Sequence, residues 1–244
     1  MCLVAIVVSA AETNTNLQTA FPAPSGTTEL SSVRTIAAGE SFDGEMLQWE
    51  RNPSTCSGQS EGGDADAIFI LESGAILSNA VIGPSVGEGV HCLGPCTLNN
   101  VWWPSVCEDA ATFKQAGDGD TSFVSGGGAR DADDKVLQHN GAGTVVVRNF
   151  FAQDVGKVYR SCGNCEAQEA RASRFEGLRV EGAGTVAGVN GNLGDTTVIE
   201  NSCILDSRVC DLFEGNDDGS EPTKTATAPD GVVCETSNVS TSGC

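Results

Sequence analysis

Short apolar runs of strand length alternate with polar or glycine-containing turns along most of the chain. The turns fall at residues 79, 100, 125, 149, 177 and 201, so successive turns are separated by 21, 25, 24, 28 and 24 residues. No run is followed by a helix-length amphipathic segment that could connect two parallel strands. A unit this short cannot bury its own apolar face, so the units are expected to stack on one another.

Stacked coils of this kind, turned by Asn or Gly residues that tolerate a left-handed backbone, form a parallel β-helix. We therefore predict an all-β fold, a single-domain right-handed parallel β-helix. The alternative is a β-sandwich of separate hairpins, which is disfavoured because tight Asn-Gly turns between alternating strands are largely missing. A β-helix exposes side chains in rows along one face, which favours an extended ligand over a small buried one.

Composition divides the chain into four predicted regions. Residues 1–11 form a short apolar run ending in small residues, which is typical of the end of a secretory signal; the alternative is a buried first strand. Residues 12–32 are predicted to form an extended lead-in, residues 33–213 the β-helix, and residues 214–244 a polar tail pinned by cysteines. The signal segment predicts a secreted, extracellular protein.

Cysteine parity agrees with secretion. Of the 11 cysteines, Cys2 lies in the candidate signal, which leaves ten that can pair completely into as many as five disulfide bonds. The sequence leaves their connectivity open. The competing interpretation is a zinc or redox site, suggested by the close pairs Cys92/Cys96 and Cys162/Cys165, but the two pairs lie too far apart for a usual zinc ribbon.

The net charge of −20, from 33 acidic and 13 basic residues, disfavours a nucleic-acid partner, because phosphate would be repelled over most of the surface. The charge is uneven, since residues 114–179 contain nine bases and nine acids and the rest of the chain carries the whole −20. No apolar run approaches the ~20 residues that a membrane-spanning helix needs. We therefore expect no nucleic acid and no membrane as partner, and a monomer.

Three carboxylates are predicted to meet on one face of the β-helix. Glu88 and the adjacent Glu108 and Asp109 are about one coil apart, so stacking would bring them within reach of one another. Such a group is repulsive unless a cation binds, and oxygen ligands without His or Cys favour Ca²⁺ over zinc or copper. A pair of adjacent acidic residues more often lies on the solvated surface, but the separation of about one coil between this pair and Glu88 favours a metal site.

Cations follow on the next coils. Lys135 and Lys157 are 22 residues apart, again one coil, and Arg160 follows three residues later. A calcium site beside a row of cations suits a polyanionic sugar, and a lysine whose pKa is depressed by neighbouring cations can remove a proton. Because arginine stays protonated at ordinary pH, we assign the base to Lys135, although the residues leave this choice open. Lys114 and Arg130, in the same dense segment, are predicted to bind substrate.

These residues resemble the secreted pectate lyases of polysaccharide lyase family 3. The resemblance covers residues 35–205 and is densest from 87 to 165. It rests on the following ordered matches: Glu88-Gly-Val-His-Cys92, Asn100-Val-Trp-Trp103, Cys107-Glu-Asp-Ala-Ala-Thr-Phe-Lys114, Asp133-Asp-Lys-Val136, Gln138-His-Asn140, Gly156-Lys157 and Tyr159-Arg-Ser-Cys-Gly-Asn-Cys165.

The resemblance implies a calcium-dependent enzyme that cleaves polygalacturonate, the de-esterified form of pectin, by β-elimination. In that reaction a neutral Lys135 removes the C5 proton, the C4 oxygen leaves, and a 4,5-unsaturated oligogalacturonide forms. Arg160 and calcium would neutralise the uronate carboxylate, and Lys157 would hold the carboxylate or assist the leaving oxygen. By position the resemblance also implies three calcium ligands: Glu88, Glu108 and Asp109.

The sequence departs from the pattern of this family in three places. Glu88 stands where bacterial relatives carry Asp, Pro104-Ser105 replaces an acidic pair often seen before the calcium carboxylates, and Asp131 stands where Lys is common. These changes keep open an alternative function, a non-catalytic pectin-binding or host-interacting β-solenoid. A serine hydrolase, suggested by Gly58-Gln-Ser-Glu-Gly62, lacks the strand–turn–helix context that a nucleophilic serine needs.

Overall fold

The computed structural model describes residues 16–227 and 229–244, and the predicted signal segment 1–11 lies outside them. Two short 3-10 helices span Asp64–Asp66 and Gly191–Leu193, and no helix in the described residues is long and apolar enough to cross a membrane. The strands are β1 (Thr27–Leu30), β2 (Arg34–Ile36), β3 (Ser41–Asp43), β4 (Gln48–Arg51), β5 (Phe69–Leu71), β6 (Ile76–Ile82), β7 (Val90–Cys92), β8 (Thr97–Trp103), β9 (Asp109–Phe113), β10 (Thr121–Ser125), β11 (Gly128–His139), β12 (Gly143–Arg148), β13 (Phe151–Ser161), β14 (Arg171–Glu176), β15 (Arg179–Glu181), β16 (Thr185–Asn190), β17 (Thr196–Leu205), β18 (Arg208–Glu214), β19 (Thr223–Ala226) and β20 (Cys234–Ser240).

The strands stack as about eight turns of a parallel β-solenoid with three faces, which confirms the predicted fold class. Face 1 contains β3, β10, β12, β14 and the first halves of β6, β8, β17 and β20. Face 2 contains β1, β4, β15, the second halves of β6, β8 and β17, and the first halves of β11 and β13. Face 3 contains β2, β5, β7, β9, β16, β18 and the second halves of β11 and β13. Among the described residues only β18 and β19 pair in antiparallel fashion.

The bend between faces 1 and 2 is formed by residues in the left-handed backbone region. Asn79, Asn100, Asn149 and Asn201 have φ of 53°, 53°, 53° and 49°, and Gly177 has φ of 68°, at the predicted turn positions. The remaining prediction, residue 125, is one residue early, because the bend there is made by Gly126 and Gly127 after β10 has ended. Asparagine suits this conformation because its short side chain can hydrogen-bond locally; here Asn100 Nδ2 donates to Asn79 Oδ1 at 2.9 Å, which ties one coil to the next.

A second bend, between faces 2 and 3, was not predicted. Asp131, Asp154 and Asp206 have φ of 54°, 53° and 50°, and Gly182 has φ of 70°. Asp131, one of the three departures from the family pattern, therefore occupies a left-handed bend position, which Asp tolerates better than most residues.

A stack of four rings lies in the core of the β-solenoid, behind face 3. Phe113, His139, Tyr159 and Phe175 are fully buried and meet edge to face, with successive centroid separations of 6.4, 6.0 and 5.6 Å. Aromatic burial of this kind is a large part of the stabilisation of any core. The stack fills the core beneath β9, β11 and β13.

The stacked strands extend beyond residues 33–213 at both ends. β1 pairs with β4, and β20, in the predicted tail, pairs in parallel with β17. In the predicted lead-in, Phe21 packs on the outside of face 2 against Trp102 and Phe151, at centroid distances of 5.2 and 5.6 Å.

The ten cysteines of the described residues are all paired, which confirms the prediction of five disulfide bonds. The bonds join Cys56 to Cys107, Cys92 to Cys96, Cys162 to Cys165, Cys203 to Cys244 and Cys210 to Cys234. The zinc alternative is wrong, because both of its close cysteine pairs are disulfides and offer no thiolate ligands. Cys2 lies outside the described residues.

Candidate active site

Three charged residues occupy the same register position on successive strands of face 3. Lys135 on β11 is paired directly with Asp109 on β9 and with Lys157 on β13. Neighbouring parallel strands lie ~4.8 Å apart, so the backbone sets the spacing of these three positions. The predicted one-coil relation between Lys135 and Lys157 is therefore confirmed.

Carboxylates gather beside this column. Glu88 precedes β7 and Glu108 precedes β9, and oxygens of Glu61, Glu88 and Glu108 lie within 4.8 Å of one another. Glu88 and Glu108 are buried, whereas Glu61 is exposed. The structure thus brings Glu88 to Glu108 as predicted, and it adds Glu61 from a loop.

Asp109 belongs to the same acidic group. Its Oδ1 lies 3.5 Å from Lys135 Nζ, and burial raises the pKa of Asp109 well above its usual value. Burial also raises the pKa of Glu108. Asp109 Oδ1 and Glu108 Oε2 are buried oxygens without a hydrogen-bond partner in the described structure. Unpartnered buried oxygens beside two further carboxylates are the donors that a hard cation such as Ca²⁺ prefers, so the residues fit the predicted metal.

Lys135 Nζ lies among four carboxylates: Glu108 at 3.0 Å, Asp134 at 2.9 Å, Asp109 at 3.5 Å and Glu61 at 3.8 Å. Burial lowers the pKa of Lys135, but the charges of Asp109, Glu108 and Asp134 outweigh burial and raise it well above its usual value. The expected depression of this pKa by neighbouring cations is therefore wrong for these side chains, because anions surround the ammonium group.

Asp134 joins the two lysines of the column. One of its oxygens accepts a hydrogen bond from Lys135 at 2.9 Å, and the other is in close contact with Lys157 Nζ. Burial tends to raise the pKa of Asp134, but the hydrogen bonds from Lys157 and Lys135 lower it overall. Asp134 is therefore a fixed negative charge between the two cations.

Arg160 lies beside the column, three residues after Lys157 on β13 and paired with Gln138, and it is only 7% exposed. Its Nη1 donates to the Ser161 carbonyl at 2.7 Å and to Asn190 Oδ1 at 2.9 Å, and its guanidinium carbon lies 4.1 Å from the centroid of the Phe213 ring. Burial lowers the pKa of Arg160 to about 10, which still leaves it positively charged near neutral pH. The side chain is therefore a rigid cation rather than a mobile surface group.

A cleft of about 160 Å³ runs past these cations. Its walls contain both lysines of the column, Arg160, Asp134 and Glu61, and its far side is closed by part of the predicted tail. The remaining lining residues are Gln138, Gly163, Asn164, Phe213, Glu221 and Pro222. The cleft is open and polar, as binding of a polyanionic chain requires.

Two predicted substrate-binding residues lie apart from this cleft. Lys114 follows β9 and contacts Asp64 at 2.7 Å and His91 Nδ1 at 3.1 Å. Arg130 is on face 2, where its Nε donates to the Pro104 carbonyl at 3.2 Å and its guanidinium covers the Phe21 ring. The structure therefore does not bring Arg130 to the carboxylates and lysines of face 3.

Comparison with known proteins places this site in a family. A family model described as pectate lyase matches residues 18–220. The chain belongs to the pectate lyase family. The probable pectate lyase F of Aspergillus terreus is 48% identical to it over 203 residues, which cover 83% of this chain and 87% of the relative. Pectate lyase E of Emericella nidulans is 46% identical over 212 residues, which cover 86% of this chain and 82% of that protein.

Solved pectate lyases share the architecture. The catalytic domain of PelI from Erwinia chrysanthemi matches with a TM-score of 0.71 at 30% identity, covering 89% of this chain and 98% of that one. PelI in complex with tetragalacturonic acid matches with a TM-score of 0.70 at 30% identity, covering 89% of this chain and 70% of that one. Family and fold together identify the chain as a polysaccharide lyase of the pectate lyase family.

Two residues of this pectate lyase site were not predicted. Asp134 adjoins Lys135 in sequence, but only the structure shows that it also reaches Lys157. Glu61 lies in the loop 52–63, which the disulfide Cys56–Cys107 fastens beside Glu108. The position of Cys107, immediately before the predicted calcium carboxylates, was the one sequence signal that could have pointed to this loop.

Proposed function

We propose that this protein is a secreted, calcium-dependent pectate lyase that cleaves polygalacturonate by β-elimination. The observation that carries the proposal is the column of face 3, in which a group of carboxylates adjoins Lys135, Lys157 and Arg160 along one open cleft. The match to a pectate lyase solved with tetragalacturonic acid supports the substrate class. Five disulfide bonds support an oxidising, extracellular location.

The metal would be held by Glu61, Glu88, Glu108 and Asp109. When bound, calcium supplies positive charge that offsets the carboxylates of the enzyme and of the sugar and makes the C5 proton of the uronate more acidic. The same charge acts on Lys135, because it offsets the anions that raise the pKa of this lysine.

The protein's own residues then have distinct tasks. Arg160, held by Ser161 and Asn190, binds the uronate carboxylate of the unit that is cleaved. Neutral Lys135 takes the proton from C5, the electron pair forms the C4–C5 double bond, and the C4 oxygen leaves with the other half of the polymer. Lys157, one coil further along, stabilises the charge that develops on the substrate carboxylate or on the leaving oxygen.

The decisive experiment follows the ultraviolet absorbance of unsaturated product from polygalacturonate. We expect product with Ca²⁺, none with chelator, and recovery when Ca²⁺ is restored. Replacing the base, Lys135→Ala, is expected to lower kcat by about 10²–10⁴-fold. Lys224→Ala is the matched control, because Lys224 pairs with Asp211 and lies outside the cleft. Full activity in chelator would overturn the role of calcium, and polymer binding without any product would favour the non-catalytic pectin-binding alternative.

A further inference from the structure

His91 lies directly behind the predicted metal centre. It is 1% exposed, on β7, three residues after Glu88. Its Nε2 lies 3.2 Å from Glu88 Oε2, and its Nδ1 lies 2.7 Å from Asp64 Oδ1. Buried polar groups are normally hydrogen-bonded, and here each nitrogen of the buried imidazole has a carboxylate oxygen as its neighbour.

The contacts of His91 restrict Glu88 strongly. A carboxylate only accepts hydrogen bonds, so Nε2 donates to Glu88 Oε2, while the other oxygen of Glu88 accepts the Gly62 backbone N–H at 2.6 Å. The backbone of His91 is held by pairing with Ile70 on β5 and Thr112 on β9, and its side chain is buried. Both oxygens of Glu88 are therefore oriented by fixed donors.

The other side of the ring fixes the loop that carries Glu61. Asp64 begins the short 3-10 helix Asp64–Asp66, three residues after Glu61. Lys114 Nζ lies 2.7 Å from the Asp64 oxygen that faces His91 and 3.1 Å from His91 Nδ1. Lys114, predicted to bind substrate, contacts the Asp64 end of this network.

We infer that His91 is a positioning residue that holds Glu88 and the loop of Glu61 in the geometry needed to bind a divalent cation. The inference rests on the proposed function, because calcium is the cation in question. Replacing a partner that orients a metal ligand typically lowers metal affinity or activity 10–100-fold.

The chain contains its own control, because its second histidine is equally buried but lies in the core. His139 is 0% exposed, its Nδ1 lies 2.9 Å from the Tyr159 hydroxyl, and its Nε2 lies 3.1 Å from the Ala142 carbonyl. No carboxylate is among these partners. The same substitution at the two histidines therefore separates positioning of the metal ligands from loss of a core contact.

The test titrates Ca²⁺ into substrate-free wild type, His91→Gln and His139→Gln by calorimetry and records urea unfolding of each. We expect His91→Gln to weaken Ca²⁺ binding by at least about tenfold, with kcat largely recovered at saturating Ca²⁺. His139→Gln should lower stability while leaving the Ca²⁺ affinity within about twofold, because its partners are not metal ligands.

Wild-type affinity in His91→Gln, or an equal loss in His139→Gln, would overturn the positioning role. Absence of Ca²⁺ binding by wild type would overturn the calcium assignment itself, and this inference with it. If His91→Gln does not fold, Asp64→Ala decides, because Asp64 is half-exposed and anchors the ring from outside the core. It should weaken Ca²⁺ binding in the same direction, and an unchanged affinity would count against the role of His91.

Discussion

Asp134 is the carboxylate that joins the two lysines proposed for catalysis. It contacts Lys135 and Lys157 at once, and no other carboxylate of the described structure has a recorded ion pair with both. Because it raises the pKa of Lys135, it makes the base harder to deprotonate. Asp134 also holds the ammonium groups of both lysines at one edge of the cleft, and we regard this positioning as its main contribution.

Replacement of this carboxylate should change the pH dependence of catalysis. Lys135 must be neutral to accept a proton, and its pKa is raised by Asp109, Asp134 and Glu108 against the effect of burial. Removing one anion lowers that pKa, so Asp134→Asn should shift the alkaline rise of kcat/KM to lower pH by about one unit or more. The measurement is kcat/KM against pH at saturating Ca²⁺.

The neighbouring acid supplies the control for this prediction. Asp133 is exposed and has no recorded contact with either lysine, so Asp133→Asn should leave the profile in place. Equal shifts in both variants would mean that general surface charge, rather than the Asp134 contact, sets the pKa of the base.

At the scale of elements, the loop 52–63 links the disulfide framework to the proposed metal site. Cys56 is bonded to Cys107, Gln59 Nε2 donates to the Cys107 carbonyl at 2.5 Å, and Gly62 N–H donates to Glu88. The loop has no strand of its own, so these contacts, together with hydrogen bonds from Thr55 and Cys56 to the Ser85 carbonyl, help to place Glu61 beside the buried carboxylates. One disulfide thus has a functional as well as a structural role.

Removing that tether should reduce calcium affinity more than removing another disulfide. We expect Cys56→Ala/Cys107→Ala to raise the Ca²⁺ concentration for half-maximal activity by about tenfold, since the loop that supports Glu88 is released. Cys203→Ala/Cys244→Ala, which frees the last coil, is the comparison. Both should lose about 2–4 kcal/mol of stability by urea unfolding, but only the first should change the calcium requirement. A normal requirement in the first variant would contradict a role for the loop.

The bends show what the sequence could and could not reveal about the fold. Asn79, Asn100, Asn149 and Asn201 follow apolar runs at intervals of one coil, and asparagine is one of the few residues that tolerates φ > 0, so these turns were predictable. The Asp bends between faces 2 and 3 were not, because an Asp in an acidic chain is indistinguishable from solvated surface. The last coil, β20, was missed because nearly all its residues are polar and exposed, as at a solenoid end.

The site residues that lie at one register position of stacked strands could be predicted from their spacing in sequence, whereas the site residue on a loop could not. Asp109, Lys135 and Lys157 share a register position, so their spacing in sequence carried the information. Glu61 reaches the same place through a loop and a distant disulfide, which no periodicity records. The pKa of Lys135 was predicted with the wrong sign, since sequence spacing showed the neighbouring cations but not the closer carboxylates.

For the whole molecule, the net charge of −20 matters for an anionic substrate mainly through the charges at the site itself. The site holds five carboxylates, Glu61, Glu88, Glu108, Asp109 and Asp134, against three cations, Lys135, Lys157 and Arg160. Its formal charge is therefore −2 when all are ionised, and one divalent ion brings it to zero. A polyanion should be repelled before calcium binds and accepted afterwards.

This balance can be measured as ligand binding without turnover. Lys135→Arg keeps the charge but cannot serve as the base near neutral pH, so oligogalacturonate should bind without being cleaved. We expect its affinity to rise at least about tenfold when Ca²⁺ replaces chelator, and much less when NaCl is added to the same ionic strength, which only screens charge. Tight binding in chelator would show that the cations of the cleft suffice by themselves.

The register column of face 3 also determines how such a site can change. Beyond Lys157 the same column continues at Thr185 on β16, which is paired directly with it. Thr185 is only 1% exposed, its hydroxyl has no hydrogen-bond partner among the described residues, and it does not line the cleft, so the row of charges ends at Lys157. A charged side chain placed there would be buried, so a row of charges on such a face can be lengthened only where the register column stays open to solvent.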